Sequence, residues 1–577
     1  MSNPLIEIRD VTKIFGTNVS PAVKAFSAVI KPGEVTGVVG PDGAGKTTLL
    51  RLMAGLLVPN EGYLKVCGTD TRMASDVIRN DIAYMPQRFG LYEDLSVTEN
   101  LELYADLRGV SGPARQKRFE TLLSFTGLAP FTDRLAGKLS GGMKQKLGLA
   151  CALIATPKIL LLDEPSVGVD PISRKELWQM TYQLAEQGIG VVWSSAYLDE
   201  AAQCKTVFLM SMGELLYYGA PKGLTDTVTG RTFTVKNVGS KRRAVLAGML
   251  EHPDVIDGTI HGRDIRFLLA EGLGHALDHN ALKLTGEAVI EPTEPTFEDA
   301  FIALLGGSTA SGSPFAKMEV KCLGDREIAI DAKDLTRKFG DFTATDKVTF
   351  NVHRGHIFGL IGPNGAGKST TFKMLCGLLK PTSGTATVAG VDLRKAPSAV
   401  RARIGYMAQN FSLYGDLSVR QNLLFFAGVY GLTGKAGRRA ADRMSEIFGF
   451  GPYLGGRASD LSLGYQRRLA LACAAMHEPE ILFLDEPTSG VDPRTRREFW
   501  GHINAMVTRG VTIIVTTHFM EEAEYCDQIA LINHGKIIAA GEPDTLKKSV
   551  RLANLANPTL EDAFIAIVEK EAAGATG

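Results

Sequence analysis

Two stretches of this chain combine glycines, a lysine and a hydroxyl at a spacing that suits phosphate. Gly40, Pro41, Asp42, Gly43, Ala44, Gly45, Lys46, Thr47 and Thr48 follow the apolar run Val35–Val39. Gly362, Pro363, Asn364, Gly365, Ala366, Gly367, Lys368, Ser369 and Thr370 follow Ile357–Ile361 in the same way. A strand ending in glycines lets successive backbone N–H groups close around phosphate oxygens, with the positive N-terminus of the next helix behind them. Lys46 and Lys368 would reach the β and γ phosphates, and the hydroxyls of Thr47 and Ser369 would hold Mg2+. Two further apolar runs end in paired acids, Ile159–Asp163 with Glu164 and Ile481–Asp485 with Glu486. An all-apolar run fits a strand buried on both faces of a parallel sheet, which brings both acids to its C-terminal edge beside the phosphate loop. Asp163 and Asp485 would sit by the metal, and Glu164 and Glu486 would orient or deprotonate an attacking water.

These residues must be positioned by two copies of one α/β architecture. Gly40 and Gly362, Lys46 and Lys368, Gln87 and Gln409, Ser140 and Ser462, Asp163 and Asp485, and Gly213 and Gly535 are each 322 positions apart. Near the end of each half, Pro-Thr-x-Glu-Asp-Ala-Phe-Ile recurs at 295–302 and 558–565, an offset of 263. The first half therefore carries 59 residues (322 less 263) that the second lacks. They fall between about 223 and 292, where 231–238 and 264–269 read as strands and 242–250 as a helix. The resulting division is a first ATPase-like domain at 1–222, a small α/β appendage with the C-terminal helix of the first half at 223–303, and a Gly/Ser-rich flexible linker at 304–326. A second domain follows at 327–547, with a C-terminal helix and tail at 548–577.

At 577 residues and 45% apolar composition the chain can bury several cores. Lys plus Arg equals Asp plus Glu at 63 each, which gives no net field toward nucleic acid or an anionic membrane. The seven cysteines are scattered without zinc spacing, as expected for reduced thiols in a cytosol. No secretion signal and no run of 18 apolar residues is present, so the chain is expected not to span a membrane.

Between loop and acids lie Leu139, Ser140, Gly141, Gly142, Met143 and Leu461, Ser462, Leu463, Gly464, Tyr465, each opening a helix-like stretch for which the serine would be the N-cap. In this order, with both phosphate loops, Gln87 and Gln409 and both acid pairs, the chain resembles the ATP-binding cassette family over 5–225 and 327–545. The resemblance implies two phosphate-loop NTPase domains in tandem, each with an α/β core and a helical subdomain, here about 90–155 and 412–477, using ATP and Mg2+. It implies that the halves pair head to tail, each nucleotide lying between one phosphate loop and the other half's signature (Ser140, Gly141, Gly142 or Ser462, Gly464). It also implies that Phe15 and Phe339 stack on adenine, that Gln87 and Gln409 touch the metal and water, and that His518 is the switch histidine at the γ phosphate.

The halves are not equal. Ala196 stands 322 positions before His518, Leu463 replaces the first signature glycine, and Asp42 puts a carboxylate where Asn364 is neutral. Head-to-tail pairing collects all three at one composite site, leaving the site of Lys368, Glu486 and His518 matching throughout; Val167, opposite Ser489, is a minor departure beside it. The expectation is one ATP-holding and one ATP-hydrolysing site, with slow hydrolysis at Glu164 left open.

Residues 222–299 hold 9 Lys/Arg against 12 Asp/Glu, which disfavours RNA contact, and no nucleic-acid partner is expected. Residues 89–97 and 411–419, just after the glutamines, match the region that in this family receives membrane subunits, and the repeated octapeptide resembles ATP subunits of bacterial type-2 exporters. The implied role is ATP-driven export through separate permeases, two in number, at the cytoplasmic face of the inner membrane. The alternative is a soluble tandem-cassette ATPase acting on ribosomes or DNA.

Overall fold

The computed structural model describes all residues except 1–2, 17–19, 74, 88–89, 273–278, 280–281, 283, 285–286, 308–312, 314, 316–326, 410–412, 551–557 and 576–577. Phe89, Phe411, Cys322 and most of the Gly/Ser stretch at 306–313 therefore lie outside the described residues. The chain forms two compact units, one of Met1–Thr229 with Pro295–Phe301 and Gly490–Pro493, the other of 230–294, 302–489 and 494–577.

In the first unit the apolar run Val35–Val39 is fully buried and pairs in parallel with Gly190–Ser195 on one side and Thr206–Ser211 on the other. Ile159–Asp163 and Ile82–Met85 continue a six-stranded sheet closed by Glu214–Gly219. Every residue of Ile159–Asp163 is buried, as a strand covered by helices on both faces requires. A second sheet of four antiparallel strands is built on Ile6–Lys13 and Val23–Ile30. Helices Val97–Leu107, Pro113–Thr126 and Gly141–Leu153 make the helical subdomain. The first of these opens with a reciprocal cap between Ser96 and Glu99.

The second unit repeats this order around Ile357–Ile361, with parallel neighbours Thr512–Thr517 and Gln528–Asn533 and with Ile481–Asp485 one strand further. Its C-terminal helix, Leu560–Ala575, begins at the second octapeptide. There Thr559 and Asp562 cap each other, the hydroxyl accepting from the Asp562 N–H at 3.1 Å and the carboxylate from the Thr559 N–H at 2.9 Å. Thr296 and Asp299 do the same in the first octapeptide, whose helix, Phe297–Leu305, passes the expected boundary at 303.

The extra residues of the first half fold as a four-stranded antiparallel sheet in the order Val255–His261, Asp264–Leu269, Thr232–Lys236, Val289–Pro292, with helix Arg242–Met249 against it. They belong to the second unit. Among the described residues of the linker Phe315 is anchored: it is fully buried, 5.6 Å by ring centroids from both Phe448 and His502, and Ser313 Oγ lies 2.8 Å from His502 Nδ1, so a side chain that finds a pocket overrides the surrounding composition.

Two histidines of the second unit are kept neutral by enclosure. His477 stacks on Tyr430, His502 lies against Phe448, and burial pushes each down to about 4. An unfolded histidine titrates near 6.5, so the unfolded chain takes up these protons first. Stability is expected to be whole above about pH 6.5 and to fall progressively toward pH 4, with a smaller slope in His502→Asn, as read by calorimetric scans across that window.

Candidate nucleotide sites

In the first unit Gly45 takes φ 101° and starts helix Lys46–Met53. A Cβ there would lie 2.1 Å from the Ala22 carbonyl oxygen, so neither conformation nor space admits another residue. Gly367 repeats this in the second unit at φ 105°, with the Ala344 oxygen 2.5 Å from the added atom. Each turn aims the first N–H groups of its helix at the space over the loop, the arrangement that holds phosphate. The lysines are held within their loops: Lys46 Nζ donates to Gly40 O (2.8 Å) and Pro41 O (3.2 Å), and Lys368 Nζ to Gly362 O (2.7 Å) and Pro363 O (3.0 Å).

The acids converge on these loops. Thr47 Oγ1 is 3.2 Å from Asp163 Oδ1, and Ser369 Oγ is 3.3 Å from Asp485 Oδ1. A hydroxyl beside a carboxylate, both hard oxygen donors, fits Mg2+. Gln87 Nε2 donates to Glu164 Oε2 (2.5 Å) and Gln409 Nε2 to Glu486 Oε2 (2.8 Å), so each glutamine reaches the glutamate. Glu164 and Glu486 sit at φ 49° and 46°, left-handed backbone that a non-glycine residue adopts at a cost of about 1 to 3 kcal/mol and that clusters at functional sites. The turn is secured from behind. Ser194 Oγ accepts from the Glu164 N–H and donates to Asp163; Thr516 Oγ1 does both for Glu486 and Asp485.

The second unit adds a group that the first lacks. His518 Nδ1 lies 3.3 Å from Glu486 Oε2, both side chains almost fully buried. Burial by itself would raise the Glu486 carboxyl, but His518 and Lys368 hold it below the usual range, while burial raises Asp485. Ala196, at the corresponding place of the first unit, is buried and has no polar side-chain atom. There the ammonium of Lys46 stands 3.5 Å from Glu164 Oε1.

Ser140 caps helix Gly141–Leu153 by accepting from the Met143 N–H at 3.3 Å. Ser462 occupies the same position before Leu463–Ala475, but its side chain makes no capping bond, so the expected cap holds there in backbone conformation only. The second signature glycine is required by packing in the first unit and closely packed in the second. A Cβ on Gly142 would meet Ser173 at 2.5 Å, and one on Gly464 would meet the Thr495 methyl at 3.0 Å. Phe15 and Phe339 are 49% and 47% exposed at strand ends, so neither is a core residue, and each has a cation over its ring, Lys13 at 5.4 Å and Arg337 at 4.6 Å.

Sequence reasoning missed four participants, Ser194, Thr516, Tyr84 and Arg467. Ser194 and Thr516 stand at the same place, 322 positions apart, in the hydroxyl pairs that end their strands, a readable signal. Tyr84 donates to Asp163 Oδ2 at 3.1 Å, its hydroxyl pushed up to about 12 by burial and by that carboxylate. Half-buried Arg467, which donates to Gln409 O at 2.6 Å, has Gln145 as its counterpart.

Comparison with known proteins agrees with this geometry. A family model described as ABC transporter matches residues 23–167 and 345–489. The chain is 55% identical over 571 residues to the "Probable multidrug ABC transporter ATP-binding protein YbhF" of Escherichia coli strain K12, covering 98% of both chains. It is 39% identical over 221 residues to the "Nod factor export ATP-binding protein I" of Burkholderia orbicola, covering 38% of this chain and 73% of the relative. A solved "Structure of ATP binding subunit of ABC transporter" aligns at 28% identity and TM-score 0.38, covering 42% of this chain and 99% of that one. With both halves matched by the family model and a relative similar along nearly its whole length, the chain belongs to the ABC transporter family as an ATP-binding and ATP-hydrolysing member.

Proposed function

We propose that this chain energises the export of a small drug-like or amphiphilic molecule through two separate permease subunits at the cytoplasmic face of the inner membrane. The observation that carries the proposal is the 55% identity, over 98% of both chains, to a relative named as a probable multidrug transporter ATP-binding protein; a second relative is named for export of Nod factor. Tyr92 and Tyr414, 57% and 50% exposed, add an apolar surface in the segments expected to receive the permeases.

Within this reading the halves pair head to tail. One composite site takes Lys46, Thr47, Gln87, Asp163 and Glu164 with Ser462 and Gly464. The other takes Lys368, Ser369, Gln409, Asp485, Glu486 and His518 with Ser140, Gly141 and Gly142. Thr47 with Asp163, and Ser369 with Asp485, would hold Mg2+, and Phe15 and Phe339 would stack on adenine. The second site hydrolyses and the first mainly holds ATP. Support for this division is His518 at 3.3 Å from Glu486 against Ala196 at the matching place.

The test is to isolate the tagged full chain from membranes and measure its ATP turnover with the proteins that accompany it. Two integral membrane proteins are expected to co-purify and to raise turnover in lipid vesicles. Co-purification of ribosomes or DNA in their place would sink the proposal.

A further inference from the structure

The appendage is docked on the second cassette by charges at the back of its nucleotide site. Arg243 forms a two-pronged pair with Asp527, Nη1 to Oδ1 at 3.0 Å and Nη2 to Oδ2 at 2.8 Å, and donates to Tyr525 O at 3.1 Å. Arg242 reaches Asp527 Oδ1 at 2.8 Å and Cys526 O at 3.1 Å. Asp257 faces Arg497 at 3.4 Å, and Arg497 in turn donates to the Tyr525 hydroxyl. At the tip of the appendage hairpin the Gly262 N–H donates to Glu524 O at 3.2 Å, the Arg263 guanidinium pairs with Glu542, and the Arg263 backbone N–H donates to Asp544.

Asp527 is more than an ion-pair partner. Its carboxylate accepts the Ile357 N–H at 2.8 Å and its own N–H donates to Ile357 O at 2.8 Å. Ile357 is the first residue of the strand that ends at Ile361, just before Gly362 of the phosphate loop. On the other side, Glu524, Tyr525, Cys526 and Asp527 follow the short helix Met520–Ala523, which begins just after His518. One carboxylate thus joins the root of the phosphate-loop strand, the end of the switch segment and the appendage. Burial would raise it, but the guanidiniums hold it below the usual range.

The docking face is particular to the second cassette. Asp527, Glu524, Glu542 and Asp544 have as their counterparts 322 positions earlier Lys205, Ala202, Ala220 and Lys222. Two of the four acids are replaced by the opposite charge and two by alanine, so the first cassette offers the arginines no equivalent surface.

We propose that Arg242 and Arg243 are positioning residues for hydrolysis at the second phosphate loop: through Asp527 they fix the switch segment and the root of the phosphate-loop strand, making turnover there depend on the docked appendage. The proposal rests on the reading that Glu486 and His518 form the hydrolytic site. The arginines act from behind that site, so their loss acts on the rate more than on binding; a displacement near 1 Å can cost about 10² in rate.

The experiment uses the full chain carrying Glu164→Gln, so that turnover reports the second site alone. Adding Arg243→Ala is expected to lower kcat about tenfold while KM for ATP stays within about threefold, and to speed amide exchange across 518–531. Arg243→Lys, which keeps the charge but loses the fork, is expected to fall between and is the deciding variant should Arg243→Ala fail to fold. Lys236→Ala, which breaks the Lys236–Glu291 pair inside the appendage, is expected to change neither quantity. Turnover and exchange unchanged in folded Arg243 variants would overturn the proposal alone. Turnover already lost in Glu164→Gln by itself would overturn the underlying site reading and the proposal with it.

Discussion

Glu486→Gln is expected to lower ATP turnover of the full chain by about 10² or more, while Glu164→Gln keeps most of it. Both glutamates occupy the same strained backbone position and both accept a glutamine amide, so local geometry alone does not separate them. The difference is the surroundings. A phosphate-loop lysine acts on each glutamate, Lys368 on Glu486 and Lys46 on Glu164, but Glu486 has in addition the His518 imidazole at 3.3 Å, where the first unit has the methyl of Ala196. A glutamine in place of Glu486 keeps the shape and the bond to Gln409 but removes the group that takes the proton from water. The measurement is steady-state phosphate release by each single variant. Equal loss in both would mean that the two sites act together despite Ala196 and Leu463, and the reverse order would exchange their roles.

His518→Ala is expected to cost about 10² to 10⁴ in turnover, because it gives the second site the side chain that the first already has. The ring is almost wholly enclosed and lies against Phe519, with centroids 4.1 Å apart, so it cannot swing away without emptying its pocket. The truncation also leaves a small cavity, and His518→Gln serves as the variant that fills it while keeping a hydrogen-bonding group. Nucleotide affinity measured by equilibrium titration is expected to change far less than turnover, since Lys368 and the loop amides remain. A fall in affinity as large as the fall in rate would mean that His518 binds nucleotide without assisting its hydrolysis.

Much of this was legible in the residues. The constant offset of 322 positions gave two equivalent folds before any element was assigned, and the runs of four apolar residues ending in acids marked the central strands because a strand buried on both faces of a parallel sheet is apolar throughout. Around the appendage the reading was thinner. Val255–His261 was missed because Asp257 and Gly258 interrupt its apolar pattern, and Val289–Pro292 because it is a four-residue edge strand ending in proline. The docking of Arg242 and Arg243 carries no local signal at all, since their partner is about 284 positions away and a pair of arginines at a helix start reads as a solvated face. Phe315 shows the same limit: composition describes a stretch, while one buried ring within it answers to a pocket elsewhere in the chain.

The order of synthesis runs against the order of packing. The appendage leaves the ribosome with the first cassette, yet Arg243 meets Asp527 only after 284 further residues have been made. At about 5 to 20 residues per second that is a wait of roughly 15 to 60 s, during which the Arg243 fork is without its carboxylate partner. Docking of the appendage therefore falls late in the birth of the molecule, when the strand after Asp527 joins its sheet.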